Sequence, residues 1–196
     1  MDLDILFDSP IFGSRSLGPR GRVRTARCRT VAEYTQLWGW TAVLGGVELP
    51  PGSSQDQVHQ AWQRCPAAEP RLRTGNGFDV LDVPHAAGFR ALERMERMGV
   101  RPGPVLGTPG RALFLVAPDT AAALPDLLYR TGWDDAALDL GCHGAGGAVP
   151  APPATDARWL RPPTPENAAR PPEARLLLGA LAYACHRGVP ELVGRR

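Results

Sequence analysis

Along the chain, apolar residues recur at helical intervals in some stretches and alternate with polar ones in others, and these two periods mark out most of its elements. Behind Thr30-Val31-Ala32-Glu33, which has the spacing of a capping box, Val31, Tyr34, Leu37 and Trp38 predict a short amphipathic helix. Trp40 to Leu49 is rich in Val, Leu and Trp and is closed by Pro50-Pro51-Gly52, so it predicts a strand or hairpin arm. Ser54 and Gln57 open a second helix, with Val58, Ala61, Trp62 and Cys65 on its apolar side, and Pro66 stops it.

The clearest pattern lies between residues 77 and 140. Gly77 to Val83 predicts a strand ended by Pro84. Ala86 to Met98 follows as a helix with Phe89, Leu92, Met95 and Met98 as its apolar face and Gly99 as its C-cap. Pro104 to Leu106 predicts a short strand, Thr108-Pro109-Gly110 a turn and Arg111 to Ala117 another strand. A helix with a proline near its first turn, from Leu124-Pro125 to Arg130, precedes a last strand at Ala137 to Leu140. This β-α-β-β-α-β order is that of the split βαβ unit, ferredoxin-like or RRM-like, and the expected fold class is α+β. Right-handed crossovers put the first and third strands at the centre of an antiparallel sheet, with the fourth beside the first. Helices then cover one face, and the other is expected to be open to a ligand.

Past Leu140, Gly141 to Gly147 predicts a flexible turn and Ala148 to Ala151 an extra strand. Eight prolines between residues 150 and 172 predict a largely irregular crossing segment interrupted by Arg158-Trp159-Leu160-Arg161, and a last amphipathic helix is expected over about 172 to 187. The organisation expected is an arm over 1–29, one domain over 30–190 with its sheet core at about 77–153, and a tail over 188–196.

All 22 basic residues among the 196 are Arg. A chain without lysine has no Schiff-base lysine, no lysine general base and no Walker phosphate-binding lysine, so phosphate recognition must run through Arg or backbone amides. Net charge is only +2, but residues 1 to 30 hold six Arg against three Asp. An arm carrying Arg20, Arg22, Arg24, Arg27 and Arg29 suits a flexible solvated tail, or one that wraps a nucleic acid by backbone attraction. Cys28, Cys65, Cys142 and Cys185 form no C-x-x-C pair, which argues against a disulfide framework or a structural zinc. No apolar run approaches the length of a membrane span, so a soluble, cytoplasmic protein with no membrane partner is expected.

Strand alternation places Val80, Asp82 and Pro84 on one face and Asp79, Leu81 and Val83 on the other, so Asp79 and Asp82 cannot share a metal. Asp82 and Asp139, on neighbouring predicted strands, can face the same side. A carboxylate at the end of an apolar strand needs compensation, by a divalent metal shared with Asp139, by an arginine partner or by exposure. The five tryptophans are read as packing residues rather than base-stacking platforms.

Phe78 to Pro84, Gly107 to Leu115, and Leu138-Asp139-Leu140 with its following Gly turn and Ala151-Pro152-Pro153 resemble the three motif regions of bifunctional DNA primase/polymerase (prim-pol) amino-terminal domains, of the archaeo-eukaryotic primase superfamily. The likeness extends over about residues 30 to 190. In that family the first motif is Asp-x-Asp at a strand end, the second a turn leading to a His, and the third a lone Asp.

The resemblance implies two divalent metals, Mg or Mn, on Asp82 and Asp139, which would be catalytic and metal-binding. It departs at Pro84, where the second aspartate belongs, and at Ala112, at or next to the histidine's place. Replacement donors would be Asp79, His85 or His143. Arg111, Thr108 and Gly110 are the candidate nucleotide and phosphate contacts. Two readings follow: a primase/polymerase handling nucleotides and DNA by metal-dependent nucleotidyl transfer, or a degenerate module that binds nucleic acid or a replication or regulatory protein.

Overall fold

Helix α1 (Pro19–Gln36) opens the computed structural model, which describes residues 19–186 and the side chains from Thr25 onward. The expected arm over 1–29 is corrected here: its last eleven residues belong to this helix. Ala and Arg are strong helix formers, and the buried Cys28, Val31, Ala32 and Thr35 anchor the helix on both sides of Thr30. Thr30 is therefore no cap; its hydroxyl donates to the Ala26 carbonyl one turn back. Arg20, Arg22 and Arg24 lie on the helix backbone, and their side chains fall outside the described residues.

A hairpin of β1 (Ala42–Leu44) and β2 (Val47–Leu49) follows, then α2 (Gln55–Arg64), whose Ser54–Gln57 capping box forms as expected. The unexpected strand β3 (Arg71–Arg73) leads into the β-α-β-β-α-β order. Its elements are β4 (Asp79–Pro84), α3 (His85–Arg97), β5 (Val105–Thr108), β6 (Arg111–Val116), α4 (Thr120–Arg130) and β7 (Gly141–His143). Then come β8 (Ala148–Pro150), β9 (Arg158–Arg161), the short α5 (Pro165–Ala169) and α6 (Ala174–His186).

Two antiparallel sheets result, β2-β1-β3-β8 and β7-β4-β6-β5-β9. The larger has the expected strand order, with β4 and β6 at its centre and the fourth strand beside the first. β9 adds a fifth strand from within the proline-rich segment that was expected to be largely irregular. The extra strand β8 joins the smaller sheet instead, beside β3, so the span 77–153 is not one sheet.

The fourth strand is displaced from Ala137–Leu140 to Gly141–His143, in what was expected to be a turn. Gly141, Cys142 and His143 pair with Asp82, Leu81 and Val80, a register that turns Cys142 toward the helices and His143 toward the face of Asp82. Leu138 and Leu140 reach the helix-side core from the preceding loop. Helix α4 begins at Thr120, so Pro125 lies inside it rather than at its start.

The apolar face of α3 also differs from expectation: Ala87, Gly88, Ala91 and Met95 are buried, while Phe89 and Met98 are exposed. Residues three apart drift around a helix of 3.6 residues per turn, so 89, 92, 95 and 98 cannot keep one face. Small residues win because they bring α3 close to β6. A Cβ on Gly88 would stand 2.4 Å from the Cβ of Ala112.

The face opposite the helices is not open along its length. Val80, Leu106, Leu113 and Leu115 pack against a cluster with Trp40, Phe78, Leu72 and Val149. The Tyr34 hydroxyl donates to the Pro152 carbonyl (2.7 Å) and accepts from Trp159 Nε1 (3.2 Å), tying α1 to the proline-rich segment and β9. The end of this face that bears Asp82 and Arg111 stays partly accessible. No helix among the described residues is long and apolar enough to cross a membrane.

Candidate functional site

Asp82 stands near the end of β4 and opposite Leu113 of β6, while Pro84 stands opposite Arg111. All four positions share a face, which brings the Arg111 side chain back along the sheet to Asp82. The guanidinium Nε donates to Asp82 Oδ1 at 2.6 Å, and Nη2 donates to the Asp82 carbonyl at 3.3 Å. Nη1 donates to both oxygens of Asp139 at 2.8 Å. His143 Nε2 lies 2.9 Å from Asp82 Oδ2.

Every carboxylate oxygen of Asp82 and Asp139 therefore has a partner. The Asp82 side chain is 18% exposed and that of Arg111 31%, whereas Asp139 is 65% exposed. Desolvation pulls the Arg111 pKa down, but hydrogen bonds to Asp82 and then Asp139 outweigh it and raise it above the ordinary arginine value. The backbone of Asp139 is held by α6, where the Cys185 thiol donates to its carbonyl at 3.6 Å.

Beside this cluster the β5–β6 turn borders a cleft of about 450 Å³ lined by His85, Gly107, Thr108, Pro109, Gly110, Thr155, Asp156, Ala157 and Arg158. Thr108 pairs with Arg111, leaving Pro109 and Gly110 as a two-residue turn, and Gly110 takes φ +74°, which glycine adopts without strain. The His85 amide donates to the Gly110 carbonyl at 2.9 Å, fixing the turn against the first residue of α3.

A family model for the amino-terminal domain of bifunctional DNA primase/polymerases matches residues 33–174. The chain belongs to this family. No curated protein and no solved structure matches it. The expected primase/polymerase membership and α+β class are thus confirmed.

Asp82, Asp139, Arg111, Thr108 and Gly110 gather at one end of the larger sheet. Asp139 does so from a loop and not from a strand. Asp79 turns away as parity requires: it is 1% exposed on the helix side, and its Oδ2 accepts from the Ala121 amide at 2.9 Å at the start of α4. Ala112 also points to the helix side, against Gly88, so the residue of the second motif that faces Asp82 is Arg111.

The metals implied for the prim-pol family do not fit this donor set. Pro84, at the place where the resemblance would put a second carboxylate, offers no ligand, and Arg111 already spans Asp82 and Asp139. Among the described residues no group of three or more His, Cys, Asp or Glu is arranged to hold a metal ion. His85 and His143 entered the sequence reading only as replacement donors, and the cleft residue Arg158 was not singled out there. For His143 the signal is strand parity, readable only once the register of β7 is known. The arm residues Arg27 and Arg29 have local partners: Arg27 stacks over Trp62 at 4.9 Å from the ring centre and lies 4.0 Å from Glu69, and Arg29 lies 3.9 Å from Glu33.

Proposed function

We propose that this primase/polymerase-family domain binds the phosphates of a nucleotide or nucleic acid in the cleft beside the Thr108–Gly110 turn and does not itself carry out nucleotidyl transfer. The observation that carries this reading is the Arg111 bridge between Asp82 and Asp139. Transfer at phosphorus needs charge neutralised at the attacking and leaving oxygens, and carboxylates committed to a guanidinium are poorly placed to supply metal for it. The cleft retains groups suited to phosphate: the Thr108 hydroxyl, the backbone of Gly110, the guanidinium of Arg158 and the first turn of α3 at His85, where helix amides favour an anion. Asp156 is the one carboxylate on its wall and sets the approach of an anion toward the Thr108 and His85 side.

Titration with a deoxynucleoside triphosphate in EDTA tests this. Binding is expected without metal, weakened by roughly 10- to 150-fold in Arg158→Ala, as loss of a charge-assisted hydrogen bond costs roughly 1.5–3 kcal/mol. The second reading, Mg- or Mn-dependent transfer, is favoured by the convergence of Asp82, Asp139 and His143. Primer extension that is lost in Asp82→Asn would establish it in place of the first.

A further inference from the structure

We propose that Arg111 is a built-in counter-cation standing where a divalent metal would sit between Asp82 and Asp139, so that the wild-type site turns such a metal away and removal of the guanidinium creates a site for one. This rests on the reading of Asp82 and Asp139 as the domain's acidic pair, and it is independent of whether nucleotide enters the cleft.

Two carboxylates brought to one point repel each other unless a cation lies between them. Here the cation is supplied by the chain. Its Nε takes one oxygen of Asp82 and its Nη1 takes both oxygens of Asp139. The other Asp82 oxygen is taken by His143. A metal entering this site would have to displace the guanidinium from both carboxylates at once, against hydrogen bonds that each join opposite charges.

The bridge is placed by the sheet and not by chance contact of surface chains. Arg111 faces Pro84, which has no side-chain group to compete for it, and β4 and β6 are paired over six residues. Without the guanidinium, what remains is two carboxylates with an imidazole beside them. These three are not arranged to hold an ion as they stand around the guanidinium, but their donor types suit a hard or borderline divalent ion such as Mn²⁺ once they can close in. Once the guanidinium is gone the pair carries two uncompensated negative charges, which would draw the ion in.

The test uses Mn²⁺ alone, without nucleotide, followed by calorimetry and by the electron paramagnetic resonance signal of free Mn²⁺. Wild type is compared with Arg111→Gln, with Arg111→Met, which keeps more of the side-chain volume, and with Arg111→Gln carrying Asp82→Asn. The expected result is Mn²⁺ binding at least about tenfold tighter in the Arg111 variants than in wild type, a free-energy change of about 1.4 kcal/mol, and its loss on adding Asp82→Asn. A folded Arg111 variant that binds no better than wild type overturns the proposal. So does wild type that binds as tightly as the variants through Asp82. Should neither variant fold, wild type still decides: selective broadening of the His143 ring signals by substoichiometric Mn²⁺ overturns the proposal, and their persistence upholds it. Failure of nucleotide binding in EDTA would sink the proposed function and leave this metal-only result untouched.

Discussion

Arg111 lies directly opposite Pro84 across the two central strands of the larger sheet. The resemblance would put an aspartate at the position of Pro84, and in this chain the space facing that position holds a guanidinium turned back onto Asp82. Pro84 and the guanidinium across from it are thus two parts of one local arrangement. Pro84→Asp by itself should not restore transfer, because Arg111 would take the new carboxylate as a further partner. Pro84 also precedes α3 as its N-cap, without a side-chain cap. Asp is a favoured residue there, and the variant is expected to gain about 1 kcal/mol, or roughly 2–4 °C in a thermal melt, with no primer extension.

Gly88→Ala should destabilise the domain by about 1–3 kcal/mol, because the added Cβ meets that of Ala112 at 2.4 Å and both belong to backbone held by α3 and β6. Ala112→Gly added to it should recover a large part of the loss. Urea unfolding of the two single variants and the double one measures the coupling, and additive effects would show that the contact is not what sets the helix-to-sheet distance.

Asp79 accepts from the first turn of α4 through one oxygen, and its Oδ1 has no hydrogen-bond partner in the buried interior. Asp79→Ala leaves the Ala121 amide without that acceptor and is expected to cost about 1–3 kcal/mol. Hydrogen exchange should locate the damage in the first turn of α4. Protection there equal to wild type would mean that Asp79 does not hold this helix end.

At alkaline pH the fold should weaken for a defined reason. Burial pushes the Cys142 thiol up to about 12 and the Cys185 thiol up to about 11, and burial also raises the Tyr34 phenol above its ordinary value. Each group ionises earlier in the unfolded chain than in the folded one. The stability they contribute is complete below the unfolded pKa values, about 8.5 for Cys and 10 for Tyr, and is lost as pH rises through the folded values. Unfolding free energy should fall from about pH 9 upward, and Tyr34→Phe should flatten the part above about pH 10. The same variant should lose about 1–2 kcal/mol at neutral pH, since Trp159 Nε1 and the Pro152 carbonyl lose their partner.

Local signals were enough for some elements. The Ser54–Gln57 box, the Pro109-Gly110 turn and the β-strand period from Val80 to Pro84 each depend on neighbours within a few residues, and each formed as expected. The helix of 85–97 was legible, but not its buried face: close approach to β6 selects Gly88 and Ala91 over the larger Phe89, and that choice belongs to the partner strand. The first helix was read too short because its Arg-rich half looks solvated until Cys28 and Arg27 are seen against the rest of the fold.

The sequence by itself determined the β-α-β-β-α-β order, the order of those strands in the larger sheet and the separation of Asp79 from Asp82, all consequences of local periodicity and chain handedness, while its motif residues carried the family resemblance. Only the tertiary structure decided that β8 leaves the main sheet, that β9 extends it, that Gly141–His143 is the strand beside β4, and that Arg111 rather than Ala112 faces the acidic pair. Those outcomes rest on register and on pairing between residues 27 to 79 positions apart. A guanidinium can span two carboxylates only after the sheet has brought all three to one end of one face.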